Sequence, residues 1–239
     1  MQGKADCINA TTGGSMVESL FGADDGRDFW AFEKRAFQLG YIHIAGIDEA
    51  GRGALAGPVV AAAVILPEGL EIEGIDDSKK LSPSKREVLF DAIVSKSLAV
   101  GIGLADNKVI DQINILQATL LAMKKAVLEL SIEPDHIFVD GNCTLPIGIS
   151  QKAIIRGDSS SISIAAASIV AKVTRDRLMV EYDEIYPGYG FAGHKGYGCA
   201  SHLASIAALG PCQIHRMTFG GVKEHICDNK MTLFSEARP

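Results

Sequence analysis

The sequence offers little to place it in a membrane, in an oxidising compartment or among indiscriminately basic proteins. Its most apolar uncharged stretch, Gly53 to Pro67, contains a proline and falls short of the roughly 20 apolar residues that a membrane helix needs. The start, Met1-Gln-Gly-Lys-Ala-Asp-Cys7, lacks a basic segment followed by an apolar one, so no secretory signal is expected. Cysteine is sparse. Five of them, odd in number and widely spaced, do not make a disulfide framework, and a reducing, cytoplasmic setting is expected. Positive charge is not in excess either: the net charge of −6 argues against binding in which a basic field supplies most of the affinity. Local basic surface remains possible at Lys79, Lys80, Lys85 and Arg86, and at Lys172, Arg175 and Arg177. Acidic metal ligands also lower the total without repelling an anion once cations are bound.

What is present is an α/β pattern. The 239 residues suffice for one substantial domain with a filled core. Residues 1–27, rich in Gly, Ser, Thr and Asp without periodicity, are expected to be disordered. Residues 28–222 read as one domain and 223–239 as a loosely ordered tail. Asp28 is placed to cap a short helix with an aromatic stripe, Phe29, Trp30, Phe32 and Phe37. Strands are expected at Ile42–Ile47, Val59–Leu66, Leu98–Leu104, His136–Val139 and Ala153–Ile155. Helices are expected from Ser82 or Ser84 to Ser95, over Asn114–Leu130, from Ser161 or Ser163 to Tyr186, and over His202–Leu209. Strands alternating with helices give an α/β class, and the opening hairpin makes the sheet mixed instead of purely parallel. No repeat and no second domain stand out.

The stretch Ile44 to Val60 is the most informative. An apolar strand pattern ends in two adjacent carboxylates, Asp48 and Glu49, followed at once by Gly51-Arg52-Gly53. Carboxylates at the end of a buried strand are costly unless cations or hydrogen bonds compensate them. Beside a flexible, donor-rich backbone they point to a hard metal ion next to a phosphate or sugar. Gly51-x-Gly53-x-x-Ala56 also matches a degenerate dinucleotide fingerprint. That fingerprint must open a helix, and here a β-branched run follows instead, so it fails on context.

Asp140 and Asp158 share the setting of Asp48 and Glu49: each closes a β-type run and has a glycine within three residues. Four oxygen donors suit Mg²⁺ or Mn²⁺ better than Zn²⁺. Two such ions activate a water and stabilise the leaving oxygen of a phosphodiester. Adjacent strand residues point to opposite faces, so Asp48 and Glu49 serve one metal pair only if the strand ends or twists there. A rival pattern, Cys199-x-x-His202 with Cys212-x-x-His215, has the superficial spacing of a zinc site; two buried thiols and two hydrogen-bonding histidines are the expected reading instead.

Taken in order, these segments resemble bacterial ribonuclease HII, the type 2 ribonuclease H, over Ile44 to Val222. The resemblance rests on Asp48-Glu-Ala-Gly-Arg-Gly53, Leu55-Ala-Gly-Pro-Val-Val60, Asp77-Ser-Lys-Lys-Leu-Ser82 and Val139-Asp-Gly-Asn142. It continues through Gly157-Asp-Ser159, Ala165 to Lys172, Thr174-Arg-Asp-Arg177, His194-Lys-Gly-Tyr197 and His215-Arg216. It implies a ribonuclease H-like mixed β-sheet flanked by helices, with a C-terminal helical extension. It implies cleavage of the RNA strand of RNA–DNA hybrids, and cleavage 5′ of single ribonucleotides in duplex DNA, leaving a 3′-hydroxyl and a 5′-phosphate. Asp48, Glu49, Asp140 and Asp158 are then the metal ligands and catalytic carboxylates. By the same resemblance Gly51, Arg52 and Gly53 contact the 2′-hydroxyl, Tyr197 stacks on the neighbouring deoxyribose, and Lys79 and Lys80 hold backbone phosphate. A monomer without an obligate protein partner is expected.

The chain departs from the family pattern at Ala54, Gly198 and Gly221, each where proline is common, which bears on loop rigidity and not on the carboxylates. A protein that binds hybrids without cutting would lack a carboxylate. A resolvase or polynucleotidyl transferase gives no reason for Gly-Arg-Gly plus the distant tyrosine.

Overall fold

Val59–Ile65 (β2) has no polar side chain and is buried at every position, as a strand covered on both faces must be. A computed structural model describes residues 28–70, 72–75 and 81–226. The expectations for residues 1–27, for Lys79 and Lys80, and for the tail beyond residue 226 fall outside these. Strand β2 pairs antiparallel with Ile44–Ala50 (β1) on one side and with Ala99–Ala105 (β3) on the other. His136–Asp140 (β4) adds to β1 in parallel, and Ser150–Ile154 (β5) adds to β4 in parallel. The order is β3-β2-β1-β4-β5, the mixed sheet expected.

The helices are Ala31–Gln38 (α1), Pro83–Lys96 (α2), Asn107–Ile113 (α3), Ile115–Leu128 (α4), Ile162–Ile185 (α5), Phe191–His194 (α6) and Ala200–Leu209 (α7). Helix α2 starts with Pro83 behind a Ser82 cap whose Oγ accepts from the Lys85 N–H at 3.3 Å. Helix α5 starts behind Ser161, and its last residue lies two before Pro187. Helix α4 covers one face of the sheet, packing Ala118, Ala122 and Ala126 against Ala45, Ile47, Ala61 and Ala63. Helix α5 covers the other, packing Ala166, Ile169 and Val170 against Ala62 and Val64. The alternation along β1 and β2 is thus split between two cores. Each fully buried Ile or Val contributes about 1.5–3 kcal/mol by leaving water.

Approach between β1 and α5 is close enough to require a glycine. A Cβ on Gly46 would lie 2.1 Å from the Ser163 carbonyl carbon. The start of α5 is further tied by Glu33 of α1, a buried carboxylate that accepts from the Ser163 N–H at 3.1 Å and from the hydroxyls of Ser161 and Ser163. Beyond α5, residues 186–226 fold back as the C-terminal extension. Tyr189, Phe191 and Ile214 pack on Ala56, while Ile206 and Val222 pack on Leu55.

Several boundaries differ from expectation. Strand β1 starts at Ile44 and runs through both carboxylates to Ala50. Strand β5 lies at Ser150–Ile154, earlier than Ala153–Ile155; it is an edge strand of mostly polar residues, paired through its backbone and invisible to an apolar pattern. Helix α3 was not expected, although Asp106 caps it by accepting from the Val109 N–H at 2.8 Å. Asp28 accepts from the Trp30 N–H at 2.9 Å but lies ahead of the N-cap of α1, which is Trp30. The aromatic stripe divides, with Phe32 and Phe37 in one core and Phe29 and Trp30 in another.

Candidate active site

Parallel pairing of β1 with β4 brings two acids side by side. The last paired residues are Ile47 and Val139; one step further, Asp48 and Asp140 fall on the same face of adjacent strands, the face toward α5. Asp48 is buried, its carboxylate accepting from the Glu49 N–H at 2.7 Å and from Ser168 of α5. Burial pushes its pKa well above the usual carboxylate range, and the charges of Glu49 and Asp140 push it further. Glu49 lies on the opposite face of β1, 3.5 Å from Arg52 Nη1. Burial raises its pKa as well, against the pull of Arg52 and with the push of Asp140. The strand does not end between the two acids, so the expected break is absent. They meet because one cavity of about 510 Å³ opens across the strand end, lined by Asp48, Glu49, Asp140, residues 50–53, Ser168, Lys172 and Tyr197.

Asp158 stands differently from expectation. It does not close a strand: β5 ends at Ile154, and Asp158 sits in a 3₁₀ turn, Gly157–Ser159, just before α5. Arg156, at φ +57°, turns the chain there through the left-handed region. The Gly157 N–H then donates to Asp140 Oδ1 at 2.7 Å. Asp158 is buried next to that contact, outside the lining of the cavity that holds the other three acids. Among the described residues, no three acidic, imidazole or thiol side chains stand close enough to hold an ion as placed.

The Gly51–Gly53 segment is fixed from behind by two arginines, both fully buried. Arg175 donates to the carbonyls of Pro58 (3.0 Å), Ala56 (3.1 Å) and Lys195 (2.9 Å). Arg216 donates to those of Gly51 (2.7 Å), Arg52 (2.8 Å) and Gly57 (3.0 and 3.1 Å). Gly51 is obligatory here, with φ +88° and a Cβ position only 1.8 Å from Arg175 Nε. Arg175 is therefore not part of a basic surface with Lys172 and Arg177, as its sequence neighbours implied. Burial lowers the Arg216 pKa to about 9, with the Arg175 charge adding to it. Sequence reasoning missed Ser168 and Arg216 as site elements; neither carries a local signal.

Tyr197 comes to the same cavity across 140-odd residues of chain, its backbone bridged to Ala54. The residue is 39% exposed, with the Lys172 ammonium 5.8 Å and the Arg175 guanidinium 5.4 Å from its ring centroid. At the three departures from the family pattern, Ala54 is buried, a Cβ on Gly198 would meet Leu55 at 3.0 Å, and Gly221 has φ +87°, which proline cannot adopt. The two Cys-x-x-His pairs do not bring all four side chains together. Cys199 is exposed and hydrogen-bonded to Ser201, whereas Cys212 and His202 each meet His215 inside, through its two different ring nitrogens.

Residues 45–222 match the family model described as Ribonuclease HII. The chain belongs to the ribonuclease HII family. Ribonuclease HII of Geobacter metallireducens is 65% identical over 200 residues, covering 84% of this chain and 94% of that one. The Geobacter sulfurreducens ribonuclease HII is 62% identical over 215 residues, covering 90% and 99%. Among solved structures, ribonuclease H2 of Pyrococcus horikoshii superposes with a TM-score of 0.64 at 28% identity, over 76% of this chain and 96% of that one. Membership makes the chain a ribonuclease, a hydrolase of phosphodiester bonds, and the ribonuclease H-like fold is the one expected. No helix among the described residues of this ribonuclease HII homologue is long and apolar enough to cross a membrane.

Proposed function

We propose that this ribonuclease hydrolyses the RNA strand of RNA–DNA hybrids and cuts 5′ of single ribonucleotides embedded in duplex DNA, leaving a 3′-hydroxyl and a 5′-phosphate. The reading is carried by one observation: the cavity that gathers Asp48, Glu49 and Asp140 is also lined by Gly51-Arg52-Gly53 and Tyr197. Acid chemistry and sugar recognition share a single opening.

The donor set fits two divalent ions, Mg²⁺ or Mn²⁺. It is all oxygen, and burial together with mutual repulsion already opposes ionisation of Asp48, a conflict that a bound cation removes. Mg²⁺ is commonly held by a few carboxylates and completed by substrate phosphate, which accords with acids that converge on the opening without enclosing it. Asp48, Glu49, Asp140 and Asp158 would hold the ions, which when bound supply an activated water and stabilise the leaving oxygen. The chain's own residues do the rest. Gly51–Gly53 present peptide groups, with no side chain at either glycine, to a 2′-hydroxyl, the group that separates RNA from DNA. Tyr197 offers its ring to the next sugar. From sequence, Lys79 and Lys80 would take backbone phosphate. We read the protein as a cytoplasmic monomer acting in the removal of ribonucleotides from DNA.

The test compares an all-DNA duplex, the same duplex with one ribonucleotide, and a continuous hybrid, each with EDTA and then with Mg²⁺ or Mn²⁺. Cleavage of the second and third only, abolished by EDTA and restored by either ion, is the expected result. Equal cleavage of all-DNA duplex, or a requirement for Zn²⁺, would overturn the proposal.

A further inference from the structure

Three imidazoles lie packed beneath Tyr197, and their hydrogen-bond partners fix which nitrogen carries each proton. His215 Nδ1 accepts from the Cys212 N–H at 2.9 Å, so the proton of a neutral His215 sits on Nε2. That Nε2 lies 3.1 Å from His202 Nε2, which must therefore accept. His202 then carries its proton on Nδ1 and donates it to the Tyr197 carbonyl at 3.0 Å. His194, stacked on His202 with centroids 4.3 Å apart, accepts from the Gly196 N–H at 3.2 Å and faces the Tyr189 carbonyl at 2.8 Å. His202 and His215 are fully buried and pack edgewise or tilted against Phe191. A buried polar pair of this kind is costly unless every partner is in place.

His215 is followed by Arg216, which grips the carbonyls of Gly51, Arg52 and Gly57. One dipeptide thus holds the Gly51–Gly53 loop directly and Tyr197 through His202. We propose that His215-Arg216 is a two-armed clamp that sets the spacing between the loop reading the ribonucleotide and the ring reading the following sugar, with His202 as the positioning residue for Tyr197. The inference rests on the reading of Tyr197 given above.

Two isosteric substitutions at His202 separate positioning from packing. His202→Asn keeps a donor where Nδ1 stands and can still bond the Tyr197 carbonyl. His202→Gln places its amide where Nε2 stands, keeps the bond to His215 and loses the one to Tyr197. The readout is the ratio of kcat/KM on duplex with one ribonucleotide to kcat/KM on continuous hybrid. His202→Gln should lower that ratio about fivefold, the weight of one neutral hydrogen bond, while His202→Asn stays within about twofold of the parent. Equal ratios in the two variants would reduce His202 to a space-filling role and overturn the clamp. Tyr197→Ala is run alongside. If it lowers the ratio while His202→Gln does not, the clamp is wrong and the reading of Tyr197 stands. If Tyr197→Ala leaves the ratio unchanged, that reading falls and takes the clamp with it. Should a His202 variant fail to fold, two-bond ¹H–¹⁵N spectra of the unaltered protein decide: His202 as the Nδ1–H and His215 as the Nε2–H tautomer support the clamp, and any other pair of tautomers refutes it.

Discussion

Asp140→Asn separates the electrostatics of the candidate site from its architecture. Asparagine keeps the Oδ1 that accepts from the Gly157 N–H at 2.7 Å, removes the charge and replaces the second oxygen by an amide NH2. In the metal-free protein that charge raises the pKa of both Asp48 and Glu49. Adjacent strands lie about 4.8 Å apart, and two unit charges at about 5 Å repel by about 3 kcal/mol at an effective dielectric of about 20. Asp140 is partly exposed, so a gain of about 1–2 kcal/mol on removing it is the reasonable size. For a domain of this length that is roughly 2–8 °C in melting temperature. The sign with pH follows. Asp48 holds its proton more tightly folded than unfolded, so the metal-free parent loses stability as pH rises from the ordinary carboxylate value through the raised one, and Asp140→Asn loses less. Added Mn²⁺ should reverse the ranking, because only the parent keeps the full donor set and gains from binding. Turnover should fall by more than the roughly 10–100-fold typical of outer-shell changes. Thermal denaturation between pH 5 and 8, in EDTA and in Mn²⁺, measures all of this beside a cleavage assay. Near-parental turnover, or a metal-free melting temperature several degrees below the parent, would refute the assignment.

Gly51→Ala should destabilise by more than about 4 kcal/mol, since it forces a side chain into the left-handed region and displaces a buried guanidinium from its carbonyls; urea denaturation showing a loss below about 1 kcal/mol would contradict the account of the loop. Burial lowers the pKa of His136 and His215 to about 4 each. Both then stay neutral in the fold while the unfolded chain takes up protons below about 6.5, so their contribution is complete above that pH and lost as pH falls toward 4. Imidazole C2–H resonances of these two should hold still from pH 8 to about 5.5, and a midpoint near 6.5 for either would refute the tautomer scheme for His215 or the burial of His136.

The acids at positions 48, 49 and 140 were legible because they interrupt apolar runs; polarity at the end of a buried strand is a local signal. Strand and helix positions followed mostly from periodicity, except where backbone pairing did the work, as in β5. Arg175 and Arg216 were not legible. In sequence each looks like an ordinary surface charge, and most of its partners are main-chain carbonyls of a loop more than a hundred residues away. Glu33 was hidden for the same reason: what makes it a cap is the arrival of Ser161 and Ser163, far along the chain. The setting of Asp158 depended on a turn through the left-handed region at Arg156, a non-glycine residue that announces nothing.

The parallel pairing of Ile47 with Val139 also bears on when the molecule becomes a nuclease. Such a pair closes a very long loop, and the entropy of that closure is spent before any contact repays it. The opening hairpin forms from near neighbours, yet it holds only Asp48 and Glu49. Asp140 arrives with the long closure, Lys172 with α5, and Tyr197 only when the last third of the chain folds back. A chain cut short before Tyr197 carries all four acids but lacks the tyrosine that completes the lining of the opening. The opening is therefore assembled from distant parts of the chain, and its last lining residue arrives late in sequence order.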